Sequence, residues 1–496
     1  MGNNNKVFKN YIYNTLYQIL VLLAPLVTTP YVSRVLGADG VGIYNYAQSI
    51  ATYFVLAGAV GTTLYAQREI AYVQDDEKKR SKIFWEIVIF RFITVLACSL
   101  IFTAVFCRSG ENVVVYRILI LEVLATAFDI SWFFMGMENF KLIVIRNTII
   151  KLAGIVLLFV LVKTAKDVPM YTLCLTIPIL LGNISLWFNI KKNLVKLDCG
   201  FKEIIKGIGT HIKPILILFI PQIASEVYLV LDKTMIGVFG TGMDQVGYYT
   251  QGQKIIKIVL MIGTSLGTVM LPAMSAAFTK GDTEGKKKTI SFSFKIVFML
   301  SCPLLFGLCA VASRFVPIFF GEGYDAVVPL MIVISPILII IGMSNVIGKQ
   351  YLLPTKQQTA YTMSIVAGAV TNFILNLILI RFFNAIGASI ATVFAEIAVT
   401  FVQCWNVRKQ LNLWDNIKPV IKYLLMAIIM FFSVWGIGLL LPVGDSTFMR
   451  SVYLAIMILV GIVVYLLELI LSKDEVFEFG MNMILKKIKK KNVKEE

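Results

Sequence analysis

Apolar residues in this chain gather in long unbroken runs and do not alternate with polar ones. Runs of about 20 residues or more succeed one another near 8–36, 42–69, 82–107, 112–136, 139–163, 168–190, 213–239, 246–277, 289–313, 325–348, 357–381, 385–407, 419–441 and 449–471. Runs of that length are read as membrane-crossing helices, whereas the strands of an outer-membrane barrel alternate over about ten residues. The pattern therefore predicts an all-α polytopic membrane protein with about 14 transmembrane helices, because hydrocarbon offers no partner for an open backbone. Composition agrees, since 58% of the 496 residues are hydrophobic, more than a soluble core uses. The first run has full spanning length and no small-residue cleavage site, so it is expected to be the first membrane helix and not a removable signal. The seven cysteines lie mostly in apolar runs with no Cys-x-x-Cys pair, so small buried hydrophobes are expected in place of disulfides.

Charge adds direction. The net charge of +17 is spread over many short loops and forms no single patch, which argues against nucleic acid as a partner. With the N-terminus in the cytoplasm, the loops holding Arg68, Lys78, Lys79, Arg80, Lys191, Lys192, Lys286, Lys287, Lys288, Arg408 and Lys409 all fall inside, as does the tail from Lys486 to Lys494. That orientation puts about 31 basic residues inside and about 8 outside, and the positive-inside rule then places both termini in the cytoplasm.

One polar window recurs. "SRVLGADGVGIYNYAQSI" begins at Ser33, and "QVGYYTQGQKI" begins at Gln245, so Val41, Gly42, Tyr44, Gln48 and Ile50 return as Val246, Gly247, Tyr249, Gln253 and Ile255. The spacing of about 205 residues divides the first twelve spans into two sixes with direct pseudo-symmetry. The expected organisation is an N-terminal six-helix lobe over 1–195, a C-terminal six-helix lobe over 196–412, two added lipid-facing helices over 413–472, and a basic cytoplasmic tail over 473–496. Each copy of the window is expected to turn through a glycine, after Leu36 and after Phe239.

The longer string "TPYVSRVLGADGVGIYNYAQSI", with Pro30, Arg34, Leu36-Gly37 and Gly42-x-Tyr44, resembles the start of the oligosaccharide (Wzx-type) flippases of the multidrug/oligosaccharidyl-lipid/polysaccharide exporter superfamily. The resemblance implies a flippase of the bacterial cytoplasmic (plasma) membrane. It would move an undecaprenyl-pyrophosphate-linked oligosaccharide repeat unit from the inner to the outer leaflet by alternating access, with the polysaccharide polymerase machinery as a downstream partner. Two rivals stand beside it. A multidrug cation antiporter of the same superfamily would prefer an acidic cavity, and a membrane polymerase or glycosyltransferase would need larger outer loops than the few residues available here.

Ionisable groups inside the spans carry the candidate chemistry, because each costs at least about 2.5 to 3.5 kcal/mol in hydrocarbon and needs a partner or a wet cavity. Arg34, Arg91, Arg146, Lys151, Lys233, Lys254 and Lys257, with Tyr44, Gln48 and Gln253, are the expected lining for a pyrophosphate and its sugars, since a concentrated anion wants cationic donors. Lys257 falls about 16 Å below the outer start of its helix, near the midplane, with Lys254 one turn above. Ion pairing is the plain alternative for each of these residues. Glu122 with Asp129, and Glu226 with Lys233, share helix faces seven residues apart, and with Asp232 and Glu396 they are the candidates for ion coupling. Lys295 and Glu468 lie close enough to the inner face to snorkel. Pro25, Pro30, Pro221, Pro303 and Pro336 permit bends.

The single histidine, His211, is expected at the inner interface. One imidazole builds neither a multi-histidine metal site nor a histidine triad. "GDTEGKKKT" has the wrong spacing for a phosphate loop. No catalytic residue, metal or cofactor is expected, and the chain is read as a transporter and not an enzyme.

Overall fold

The computed structural model describes residues 2–197, 200–279, 283–442, 444 and 446–482. Cys199 and the Lys486–Lys494 tail lie outside the described residues, as does the side chain of Pro221. The described elements are all helical: α1 Gly2–Ala59, α2 Thr62–Tyr72, α3 Glu77–Phe106, α4 Val113–Phe128, α5 Ser131–Gly136, α6 Phe140–Leu161, α7 Val168–Ile190, α8 Phe201–Phe239, α9 Met243–Thr279, α10 Thr283–Phe319, α11 Val327–Ile334, α12 Ile337–Asn345, α13 Gln358–Val407, α14 Leu413–Ile417, α15 Val420–Leu440 and α16 Thr447–Leu471, with a π-helical turn Val346–Leu352 after α12. Among the described residues, nine stretches are long and apolar enough to cross a membrane, and two of them, Tyr17–Tyr72 and Gln358–Val407, each hold two of the expected spans. The protein is an all-α, multi-pass membrane protein. Leu440 and Leu471 stand 84% and 82% exposed, an arrangement that hydrocarbon tolerates and water penalises.

Several helix limits differ from those read along the chain. The run 42–69 is cut at Val60 and Gly61, whose φ values of 46° and 69° leave the helical region, a conformation glycine adopts without strain. The run 112–136 is cut at Asp129, which is extended with ψ of 100°. The run 325–348 is cut where Pro336 caps α12; Pro25, Pro30 and Pro303 instead sit within α1 and α10. Gly37 alone turns the first half of α1 into the second, with φ 69° and ψ 177°. Gly240 ends α8 in an extended conformation, so both copies of the window do turn at their glycine. The six described cysteines are free thiols.

The chain forms two compact units, Met1–Gly247 and Tyr248–Glu496. In the first, α8 packs against α1, α2 and α3, and two apolar clusters form, one around Leu36, Phe102, Leu119 and Tyr171 and the other around Phe84, Trp132, Phe133 and Ile215. In the second, Phe294, Phe298, Ile347, Tyr423 and Met430 centre the core on α10 and α15.

The recurring glycines meet within the first unit. A Cβ on Gly42 would lie 1.7 Å from the Met243 carbonyl oxygen, and one on Gly247 would lie 2.0 Å from the Ala38 oxygen. Ala38 and Met243 stand in the same relation along the repeat as Gly42 and Gly247. The start of α9 therefore crosses the second half of α1 backbone to backbone, each copy offering its glycine to the other. No larger residue fits either position.

Candidate functional site

The first unit holds two polar clusters built on expected residues. The deeper one grows from the break after α4. Because the chain turns extended at Asp129, its N–H reaches Thr126 O and the last carbonyls of α4 lose helical partners. Side chains replace them: Asn183 Nδ2 donates to Ala125 O at 2.8 Å, Trp187 Nε1 to Phe128 O at 2.9 Å, and Arg91 Nη1 to Asp129 O at 3.0 Å. The Asp129 carboxylate accepts the Ser131 N–H at 3.0 Å, which starts α5, and lies 3.9 Å from Arg91 Nη2 and 3.8 Å from Arg146 Nη1. Arg146 also donates to Asn183 Oδ1 at 2.7 Å and to Asn147 Oδ1 through Nε and Nη2 at 3.0 and 2.6 Å.

Two guanidiniums thus share one carboxylate, leaving a net positive site. Arg91 is 3% exposed with its Nε lacking a partner among the described residues, and it serves the helix end. Arg146, with 13% of its side chain exposed, is the more accessible of the two. Lys151 is half-buried further along α6.

The second cluster lies along the second half of α1. The rings of Tyr44 and Tyr171 meet edge to face at 4.8 Å, and Gln48, one turn on, stands near the Glu122 carboxyl beside them. The structure thus parts Glu122 from Asp129, which faces the arginines. On the opposite side of this helix, Tyr46 fills the notch left by Gly237, while Ser49 Oγ and Tyr53 Oη each lie 2.9 Å from Thr234 Oγ1 of α8. Asp232 is buried on α8, and Glu226 and Lys233 are half-buried there. Arg34 is exposed near the end of the first half of α1.

The second unit repeats the tyrosine–glutamine pair with other neighbours. Gln253 Nε2 donates to Tyr249 Oη at 3.1 Å, and that oxygen lies 3.3 Å from Thr392 Oγ1. Lys254 is half-buried and Lys257 exposed on α9, with Glu396 half-buried on α13.

Between α9, α10, α11, α15 and α16 runs a cavity of about 640 Å³ lined by Ile255, Pro303, Phe315, Met430, Met457 and Tyr465 among other apolar groups. The Tyr465 hydroxyl is spent on Met299 O at 2.8 Å.

Two inner-face expectations divide. Lys295 does reach out, to Glu475 at 2.6 Å. Glu468 does not, since both its carboxyl oxygens are buried without a hydrogen-bond partner among the described residues. His211 departs too, lying buried inside α8, because that helix starts at Phe201 and not near 213.

Sequence reasoning missed Asn147, Asn183 and Trp187, whose work depends on a helix end that no local pattern marks. It also missed Glu86 and Tyr65, which meet His211; an acid inside the apolar run 82–107 was the available signal.

Comparison with known proteins gives concordant matches. A family model described as polysaccharide biosynthesis protein matches residues 7–278. A protein of Escherichia coli (strain K12) that bears the name O-antigen transporter is 26% identical over 419 residues, covering 82% of this chain and 98% of its own. The solved structure of a lipid II flippase, MurJ, in an inward closed conformation matches with a TM-score of 0.72 at 17% identity, covering 94% of this chain and 99% of that one. An inward-facing multidrug resistance transporter of the MATE family matches with a TM-score of 0.53 at 12% identity, covering 78% of this chain and 98% of that one.

Proposed function

The chain belongs to the polysaccharide biosynthesis protein family, and from that membership we propose that it is a flippase for a lipid-linked sugar. The cargo is an undecaprenyl-pyrophosphate-linked oligosaccharide repeat unit, carried from the inner to the outer leaflet by alternating access in the bacterial plasma membrane, with both termini cytoplasmic. The polysaccharide polymerase machinery takes the delivered unit. The process is transport, not catalysis.

The observation that carries this reading is the apolar cavity along the appended pair α15 and α16. Among the described residues its lining has no carboxylate, which suits an isoprenoid chain and gives a cationic drug no counter-charge. Net positive charge elsewhere supports the head of the same cargo. Arg146 and Lys151 in the first unit, and Lys254 and Lys257 in the second, are the cations proposed to meet the pyrophosphate, with Arg34 and Lys233 as further cationic lining and Tyr44, Gln48 and Gln253 facing sugar hydroxyls. Glu122, Glu226, Asp232 and Glu396 remain the proposed coupling carboxylates.

Deleting the gene tests the substrate class. The expected result is loss of a surface polysaccharide and accumulation of its lipid-linked repeat unit in the inner leaflet, identified by mass spectrometry. Normal polymer in a strain lacking every other flippase of the family rejects the reading.

A further inference from the structure

His211 joins three helices of the first unit. Its Nε2 lies 2.8 Å from Glu86 Oε2 on α3, and its Nδ1 lies 2.7 Å from Tyr65 Oη on α2. Gly207, one turn earlier on the same face of α8, makes the room, since a Cβ there would lie 1.8 Å from Glu86 Oε1. His211 and Glu86 are 8% and 4% exposed. Glu86 Oε1 has no hydrogen-bond partner among the described residues, and the half-exposed Lys82 ammonium stands 3.9 Å away. From α2, Arg68 lies 5.5 Å from the Tyr65 ring centroid and pairs with Glu69. On α8 itself, Lys206 and Lys213 are exposed.

We propose that the His211–Glu86 pair is a proton-binding site, loaded from the aqueous phase at the Glu77 end of α3, that couples the pH of that phase to the position of α8. With a neutral ring, the buried Glu86 carboxylate is balanced only by the half-exposed Lys82 ammonium at 3.9 Å; one proton on the ring gives it a second, closer counter-charge at 2.8 Å. The Tyr65 hydroxyl lets both states be satisfied. A neutral ring donates Nε2–H to Glu86 and accepts the Tyr65 O–H at Nδ1; an imidazolium donates at both nitrogens, and the tyrosine proton rotates away. The added proton comes from water and returns to it, with no heavy-atom bond made or broken. What changes is the tie between α3 and α8, a charge-assisted pair when loaded and a weaker hydrogen bond when not. α8 carries that change toward Thr234, where it meets Ser49 of the recurring window and Tyr53 just beyond it.

The chemistry of the site stands apart from the cargo; only its role in coupling rests on the transport reading. A single histidine makes the test direct. Full-length protein labelled with ¹⁵N-histidine and held in lipid nanodiscs should give one imidazole, with the proton on Nε2 in alkaline buffer. That imidazole should pass to the doubly protonated form as the buffer is made acid. Glu86→Gln should move the transition toward acid by about one pH unit, because the charge that favours imidazolium is gone. A ring that keeps one state throughout, or a transition unmoved by Glu86→Gln, overturns the site. For coupling, His211→Gln at normal protein level should make polysaccharide export independent of cytoplasmic pH, set with a membrane-permeant weak acid; an unaltered pH dependence overturns that role. If the ring titrates as expected while gene deletion leaves the polysaccharide intact, the flippase reading fails and the proton site stands.

Discussion

At Asp129 one carboxylate caps α5, faces two guanidiniums and sits where α4 ends. Removing one member of such a partly buried set leaves charge uncompensated, at a cost of about 3 to 5 kcal/mol. Asp129→Asn should therefore lower the thermal midpoint and the membrane level of the protein, and adding Arg91→Met to it should recover part of the loss. Melting curves of the two purified variants check this; equal losses in the single and the double variant would contradict it. Lys151→Gln belongs to the other class. It should leave expression and melting unchanged while reducing polysaccharide export several-fold, and full export would remove Lys151 from the cargo path. The charges themselves were legible in the sequence as costly residues inside apolar runs. Their division into helix-capping Arg91 and accessible Arg146 was not, because both read alike until the end of α4 placed them.

Helix by helix, the glycine crossing makes the sharpest demand. Gly42→Ala places a methyl group against the Met243 carbonyl and Gly247→Ala one against Ala38, so either change must push α1 and α9 apart. Both variants should lose export while remaining membrane-inserted, as read by fractionation and a polysaccharide assay; retained export with alanine would mean that the crossing is dispensable. A second element-level device closes α16. Asp474, 3% exposed just past its end, accepts Lys422 Nζ at 2.6 Å, Tyr423 Oη at 2.9 Å, and the backbone N–H groups of Val476 and Phe477 at 3.1 and 3.2 Å. Burial alone pushes this carboxyl up, yet those donors together hold it below the usual carboxylate range. A depressed carboxyl adds stability above its unfolded value and loses it as pH falls through the folded one. Asp474→Asn should accordingly speed proteolysis of residues 474–482 at neutral pH, and the difference from the native protein should shrink as pH falls through the lowered range in which the folded carboxyl takes up its proton.

For the molecule as a whole, orientation is the property that everything else in transport depends on. The excess of lysine and arginine in alternate loops predicts that cysteines placed at Asp244 and Glu322 of a cysteine-free variant label from outside with an impermeant thiol reagent, while cysteines at Asp76 and Thr283 do not. Reversed labelling would invert the direction of flipping.

The sequence by itself determined the class, the span pattern, the repeat and the family, because each is written in local signals: run length, loop charge and a recurring string. Even the turns at Gly37 and Gly240 follow from residue type. The tertiary structure alone decided which polar groups meet. Helix faces drift with each turn, so a spacing of seven put Glu122 and Asp129 on one side of α4 without revealing that Gln48 stands near the first and two arginines face the second. It alone decided that Gly42 and Gly247, residues distant in the chain, are glycines for each other's sake, and that His211, read as a bystander at the membrane surface, shares its ring with Glu86 and Tyr65. Contacts of that range depend on how whole helices pack, and packing is a property of the assembled chain and not of any window along it.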